Sequence, residues 1–294
     1  MFELSRLGQT LAVVGIGVLV VASTTVAGAS SLTGTYNKTD AALVPSSFKN
    51  TTLQVATDAT YAPDEYMSGT TMEGFDVDLI HAVATTLDIK VNENNVTFDS
   101  ILGGIEGGRY AIGNSSFTDT VAREKQVYFV DYFQAGEGVY AKKGEKVTFR
   151  GLPSFCGLKV AVETGTTEQS DAVTEKAKCP SGKALSILAF PTQTEANLAV
   201  LSGQANVGFV DSQIATNIVA TSKGKFESVG NAIEVAPYGI ATPKTSAGKG
   251  LARAIQAAVK TLIANGAYTA ILNKYGVTAG ALPASKVVID GAAG

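Results

Sequence analysis

The chain has 294 residues, with 23 Lys and Arg against 26 Asp and Glu, and a formal net charge of −3. This mild acidity gives no basic surface for a nucleic acid, and one histidine supports neither a Ser-His-Asp triad nor a multi-histidine metal site. We therefore expect a globular α/β protein without a nucleic-acid partner or a cofactor.

The N-terminus has the pattern of an export signal. An apolar stretch, Leu11–Ala22, is followed by small residues at Ala27–Ala29. This predicts a signal peptide over residues 1–29, because the apolar core is shorter than the about 20 residues that a membrane span needs. An uncleaved anchor is the alternative, and residues 30–50, rich in Ser, Thr, Asn and Ala, are predicted to be a flexible leader.

A strand, a polar loop and a helix follow in that order. Leu53–Ala56 is predicted to be a buried strand, Thr57–Pro63 (TDATYAP) is polar, and apolar residues recur at every fourth position over 75–87. Ligands of α/β proteins bind at the carboxyl ends of the strands, which is where this loop would lie. The loop is thus predicted to be one wall of a small-molecule cleft.

This opening resembles that of the family 3 extracellular solute-binding proteins, the amino-acid receptors of ABC importers, in which a TDxTYxPFE-like loop precedes a GFDVDL helix. Ser115–Arg123 (SSFTDTVAR) is similar to the SSxSxTxxR signature of the family, and Gly165–Thr167 is similar to its GTT loop. The resemblance spans about residues 51–278. It implies an α/β, type II periplasmic-binding-protein fold: two Rossmann-like lobes joined by two hinge strands, with the ligand cleft between them.

The order of the segments predicts how the chain divides between these lobes. Leu158–Val162 and the polar loop after it repeat the first strand-loop unit, which predicts a second lobe inserted into the first. The chain is expected to cross between the lobes near residues 133–138 and 233–240. The predicted boundaries are 51–135 and 238–278 for lobe 1, 136–237 for lobe 2, and 279–294 for a C-terminal tail.

The chain has two cysteines, Cys156 and Cys179, which are too far apart for a CxxC motif. In an exported protein they are predicted to form one disulfide, worth about 3 kcal/mol in the chain-entropy model. Two separate buried thiols are the alternative.

The resemblance implies recognition of the α-carboxylate of an amino acid. Arg123 is the expected clamp, because a guanidinium binds a carboxylate through two parallel hydrogen bonds. Ser115, Ser116 and Thr118 would supply further donors from the same segment.

The second lobe is expected to complete the backbone site. Thr166 and Thr167 precede a predicted helix, whose free N–H groups and positive dipole end favour an anion. Thr167 would help hold the carboxylate, although a Thr here also serves as an ordinary helix cap. Asp211 stands where the family places the acid that receives the α-ammonium group.

The remaining positions concern the ligand side chain. Tyr61 and Phe98 resemble the walls that sandwich it in the family. Asp58 and Glu163 lack an evident basic partner, which favours a cationic ligand, arginine, lysine or ornithine, because an unpaired buried carboxylate is costly. Glutamine or histidine is the alternative. Asp64 departs from the family, which usually has an aromatic residue there.

The predicted function is therefore that of an exported, monomeric receptor, periplasmic or extracellular, that captures a free L-amino acid for a membrane permease. Two other classes were weighed against it. A dehydratase-type enzyme on the same fold would use Glu163 or Glu168 as a general acid, and a sensory domain would bind a protein partner other than a permease.

Overall fold

A computed structural model describes residues 32–293, so the predicted signal peptide lies outside the described residues. The strands are β1 Thr52–Thr57, β2 Thr60–Tyr61, β3 Glu65–Ser68, β4 Thr71–Glu73, β5 Lys90–Asn95, β6 Ile112–Gly113, β7 Val127–Lys142, β8 Lys159–Glu163, β9 Ser186–Phe190, β10 Val207–Asp211, β11 Phe226–Ser228 and β12 Ile233–Pro243. The helices are α1 Lys38–Ala42, α2 Phe75–Leu87, α3 Phe98–Glu106, α4 Thr167–Lys176, α5 Gln193–Ser202, α6 Ser212–Thr221, α7 Ser246–Ala264 and α8 Ala267–Tyr275.

Lobe 1 is built on β1, which pairs in parallel with β5 on one side and β6 on the other. Helices α2, α7 and α8 pack on this sheet and on one another. The apolar stripe of α2 is confirmed, since Phe75, Leu79, Val83 and Leu87 are all buried. Each such side chain stabilises the fold by roughly 1.5–3 kcal/mol. The helix ends at Asp88, whose left-handed backbone closes the last turn.

Lobe 2 repeats the arrangement with β8 at its centre, paired in parallel with β9 and β10. Helices α4, α5 and α6 cover it. The first polar loop of each lobe follows its central strand, β1 in lobe 1 and β8 in lobe 2, which brings the two loops to one cleft.

Two long antiparallel strands, β7 and β12, connect the lobes. The sequence predicts two strands within 127–142, whereas the structure has the single strand β7 there. The strand order β5-β1-β6-β12-β7-β10-β8-β9 is therefore continuous through both lobes. The pairing of β12 with β7 shifts register between Ile233 and Ala236 and again between Tyr238 and Gly239, near the crossing.

The prediction of a flexible leader over 30–50 is wrong for its described part. Asn37 caps α1 by accepting the N–H of Thr39 at 2.9 Å, and Asp40 accepts a hydrogen bond from Thr261 Oγ1 at 2.6 Å. Val44 is buried in the core of lobe 1. The segment is ordered because its partners come from α2 and α7, which are distant in sequence.

The disulfide between Cys156 and Cys179 is present and links the turn before β8 to the segment that follows α4. The C-terminal segment pairs with β7 through the bridges Phe133–Ala281 and Val130–Ile289. Among residues 32–293, no helix is long and apolar enough to cross a membrane.

Candidate functional site

A cavity with an empty volume of about 280 Å³ lies between the lobes, at the carboxyl ends of β1 and β8. All eleven residues predicted to bind the ligand line it, together with two that were not predicted, Glu65 and Glu168. The predicted residues are Asp58, Tyr61, Phe98, Ser115, Ser116, Thr118, Arg123, Glu163, Thr166, Thr167 and Asp211.

The guanidinium of Arg123 bridges the two lobes. Its Nη1 donates to the carbonyl oxygen of Thr118 at 2.8 Å, and its Nη2 donates to the carbonyl oxygen of Gly165 at 2.9 Å. Its central carbon lies 5.5 Å from the ring centroid of Phe98 and 5.4 Å from that of Phe117. The two rings hold the plane of the Arg123 guanidinium. This group has five N–H donors, more than the two carbonyl oxygens use.

The start of α4 forms the facing wall. Thr166 caps the helix by accepting the N–H of Gln169 at 3.2 Å, and its hydroxyl donates to the carbonyl oxygen of Glu163 at 2.8 Å. Thr166 thus shapes the loop, while Thr167 faces lobe 1, with its Oγ1 3.2 Å from Oγ1 of Thr118. The positive end of α4 is turned towards the cavity, where it favours an anionic group.

Asp211 ends β10 and meets lobe 1 through Tyr61, whose Oη donates to Asp211 Oδ2 at 2.7 Å. Burial raises the pKa of Asp211 to about 6, and the hydrogen bonds from Tyr61 and Tyr238 oppose that rise. Burial also lowers the pKa of Arg123, whereas the charges of Glu168 and Asp211 raise it. The guanidinium keeps its charge, since its ordinary pKa is above 12.

The carboxyl groups of Asp58 and Glu163 come from opposite lobes and are hydrogen-bonded to each other. Asp58 Oδ1 accepts from Thr60 N at 3.0 Å and from Thr60 Oγ1 at 2.7 Å, and its Oδ2 accepts from Phe98 N at 3.0 Å. Burial, then the charge of Asp58, raises the pKa of Glu163 to about 10. Burial raises the pKa of Asp58 too, against these hydrogen bonds.

The two serines of the SSFTDTVAR segment use their hydroxyl hydrogens within the chain. Ser115 Oγ donates to Glu65 Oε1 at 2.9 Å, and Ser116 Oγ lies 2.9 Å from Asp64 Oδ2. The backbone of Ser116 is left-handed, with φ of 48°, and its N–H donates to Asp76 Oδ2 at 2.9 Å. Both serines line the cavity, and their hydroxyl groups contact these buried carboxyl groups.

Three acids lie together behind those serines. Asp64, Glu65 and Asp76 are fully buried. Burial raises the pKa of Asp76 to about 7 and those of the other two well above their ordinary values. Gln213 of lobe 2 donates to Asp64 Oδ2 at 2.7 Å, so this departure from the family pattern provides another contact between the lobes.

Sequence reasoning missed Glu65 as a cavity residue, and it named Glu168 only as a general acid of the dehydratase alternative and not as a ligand-binding residue. Glu65 had a signal, because it matches the acid that closes the TDxTYxPFE-like loop. Glu168 follows the GTT motif in the first turn of α4, where an acid is an ordinary partner of the helix dipole. Within residues 32–293, no group of three or more His, Cys, Asp or Glu side chains is arranged to hold a metal ion.

Comparison with known proteins gives consistent matches. The model of the bacterial extracellular solute-binding proteins, family 3, matches residues 53–278. The arginine-binding protein ArgT of Corynebacterium glutamicum is 32% identical over 212 residues, which are 71% of this chain and 68% of that protein. The ABC transporter glutamine-binding protein GlnH of Bacillus subtilis is 31% identical over 209 residues, 69% of this chain and 72% of that protein.

Among solved structures, an ancestral arginine-binding protein bound to arginine superposes with a TM-score of 0.71. Its sequence identity is 29%, and the match covers 76% of this chain and 97% of that one.

Proposed function

The chain belongs to the bacterial extracellular solute-binding proteins of family 3 and has their two-lobed, type II periplasmic-binding-protein fold, and we propose that it captures a free L-amino acid outside the cell membrane and passes it to an ABC permease. In this proposal the protein acts as a monomeric receptor, and no covalent chemistry takes place in the cleft.

The observation that carries the proposal is the charge pattern of the closed cavity. Arg123 is the only cation among the thirteen lining residues, and five of the others are acids. An α-amino acid needs one cationic group for its carboxylate and an acid for its ammonium. Arg123 with Thr118 and Thr167 is assigned the carboxylate, and Asp211 is assigned the ammonium group.

The remaining acids favour a cationic side chain. Asp58 and Glu163 contact each other across the cleft and have no basic partner in the described hydrogen bonds and ion pairs. A guanidinium between them would supply donors to both carboxylates and offset the cost of burying them. Tyr61 and Phe98 would flank its aliphatic stem. L-arginine is therefore the first candidate, ahead of lysine and ornithine.

Ligand affinity and closure are linked in this assignment. Arg123 and Thr118 belong to lobe 1, whereas Thr167 and Asp211 belong to lobe 2, so only the closed form completes the site. A ligand that contacts both lobes shifts the open–closed equilibrium towards closure by its differential affinity.

Thermal unfolding of residues 32–294 with each free amino acid tests the proposal. A ligand at a hundredfold excess over its Kd stabilises the folded form by about 2.7 kcal/mol. We expect the largest rise in Tm with L-arginine, a smaller one with lysine or ornithine, and none with D-arginine. A rise with glutamine or histidine alone would overturn the cationic assignment, and no rise with any amino acid would overturn the receptor function.

A further inference from the structure

The contact between Asp58 and Glu163 joins two carboxyl groups, and such a contact needs a proton. Asp58 is 2% exposed and Glu163 is also 2% exposed. Two ionised carboxylates buried against each other repel, so one of them carries a hydrogen that it donates to the other. The Asp58–Glu163 pair therefore holds one proton that two ionised carboxylates would not hold.

The hydrogen bonds indicate which carboxyl group carries the proton. Both oxygens of Asp58 already accept donors, from Thr60 and from the backbone N–H of Phe98, which suits an ionised carboxylate. By contrast, Glu163 Oε1 is buried and accepts no N–H or O–H hydrogen bond from residues 32–293, which leaves it able to carry a hydrogen. Glu163 is therefore the donor of the pair.

The surroundings of the pair keep the proton in place. Glu168 of α4, Tyr61 of β2 and Tyr140 of β7 are the other titratable groups that act on Glu163, and Glu65 of β3 acts on Asp58. All four are acids or phenols, and none supplies a positive charge. The guanidinium of Arg123 is held by Thr118 and Gly165.

We propose that Asp58 and Glu163 share one proton in the closed cleft unless a cationic group of the ligand lies between them, so that a neutral amino acid binds with this proton and a cationic amino acid binds without it. The inference rests on the proposed function, since it assigns the distal end of the same ligand site. It makes Glu163 a residue that determines specificity through its protonation.

A measurable linkage follows from this exchange. Two ligands whose complexes differ by one bound proton have an affinity ratio that changes about tenfold per pH unit. L-citrulline is a suitable neutral probe, because its urea group has nearly the shape of the guanidinium group of arginine. Preference for arginine over citrulline should accordingly rise with pH.

Isothermal titration calorimetry with L-arginine and L-citrulline tests this, at pH 6, 7 and 8 in buffers that differ in ionisation enthalpy. We expect the two ligands to differ by close to one proton per molecule bound, and the ratio of their Kd values to change about tenfold per pH unit. The difference in protons bound does not depend on the protonation of the ligand-free protein, because both titrations start from that same state.

Glu163→Gln keeps the shape of the side chain and removes the titration. In this variant the proton difference should fall to near zero and the Kd ratio should become independent of pH. Glu195→Gln, at an exposed position of α5, is the matched control and should behave as wild type. If Glu163→Gln fails to fold, the pH dependence of the wild-type ratio alone decides.

Equal proton counts for the two ligands in wild type would overturn the inference while leaving the receptor function intact. A one-proton difference that persists in Glu163→Gln would also overturn it, as would failure of citrulline to bind even at pH 6. If no amino acid binds, the proposed function and this inference fail together.

Discussion

Tyr61 Oη lies 2.7 Å from Asp211 Oδ2, and this hydrogen bond joins the first loop of lobe 1 to the end of β10 in lobe 2. The same oxygen accepts the backbone N–H of Asp211 at 3.3 Å. One phenol thus makes two contacts across the cleft, and separation of the lobes would break both.

Tyr61→Phe should weaken ligand binding by about tenfold, because a hydrogen bond to a charged group contributes about 1.5–3 kcal/mol and this one exists only in the closed form. Tyr66→Phe is the matched control, since the Tyr66 hydroxyl bonds to Glu73 within one hairpin of lobe 1. Calorimetric Kd values for both variants check the prediction. An equal loss in the two variants would mean that the phenol acts on lobe 1 itself.

Arg123→Ala should weaken every amino acid ligand by at least about a hundredfold, because the α-carboxylate would lose a bidentate, charge-assisted pair. Arg253→Ala, at an exposed position of α7, should leave affinity unchanged. Near-normal affinity in the Arg123 variant would remove this residue from the carboxylate site.

Gly165→Ala should impair closure, because an added Cβ would lie 3.1 Å from Cα and Cβ of Asp99 on the other lobe. Gly182→Ala is the matched control, since its φ of +82° is close to the +87° of Gly165 and no atom lies within 4 Å of the added Cβ. Both variants should lose about 1–2 kcal/mol of stability from left-handed strain. Only Gly165→Ala should also lose affinity, by about tenfold, and equal affinities would contradict the steric argument.

Asp131→Asn should make stability less dependent on pH. Burial, then the charge of Asp119, raises the pKa of Asp131 to about 8, and the pKa of Asp119 rises to about 6. When the pKa of an acid is higher in the folded protein than in the unfolded chain, the protonated acid stabilises the folded form. This stabilisation is complete below the pKa of the unfolded chain, near 4, and is lost as the pH rises through the pKa of the folded protein.

Urea unfolding at pH 5 and pH 8 measures that effect. Wild type should have a lower urea midpoint at pH 8 than at pH 5, and Asp131→Asn should reduce the difference by raising the midpoint at pH 8. The ligand cleft is not altered, so affinity should stay unchanged. A midpoint that rises equally at both pH values would indicate better packing and not removal of a charge.

Local patterns in the sequence were enough to predict the strand-loop-helix units, and the resemblance to the solute-binding family implied eleven of the thirteen residues that line the cavity. The cavity residues follow the ends of strands, and topology brings such ends together. Glu65 was missed, and Glu168 was named only for the dehydratase alternative, because its sequence position also suits an ordinary first turn. The order of the leader depends on contacts such as Asp40 with Thr261, 221 residues apart, which no local pattern contains.

The burial of Asp64 beside Glu65 and Asp76 was also beyond local reasoning. Two of these acids are adjacent in sequence, as they often are on a solvated surface. Their burial follows from the packing of α2 and β3 and from Gln213, which reaches them from the other lobe. The departure from the family motif at Asp64 marked an unusual position, but it did not predict which residues Asp64 contacts.

The paired strands β7 and β12 also bear on the mechanics of the molecule. Two strands hydrogen-bonded side by side form a ribbon, which bends readily across its flat face and resists bending within its plane. The register shifts around Ala236 and Tyr238 loosen the ribbon locally, since such irregularities bend and twist a strand. We therefore expect the lobes to rotate about one fixed axis near these residues. A ligand would then select the closed end of a single rotation, and not one of many relative orientations of the lobes.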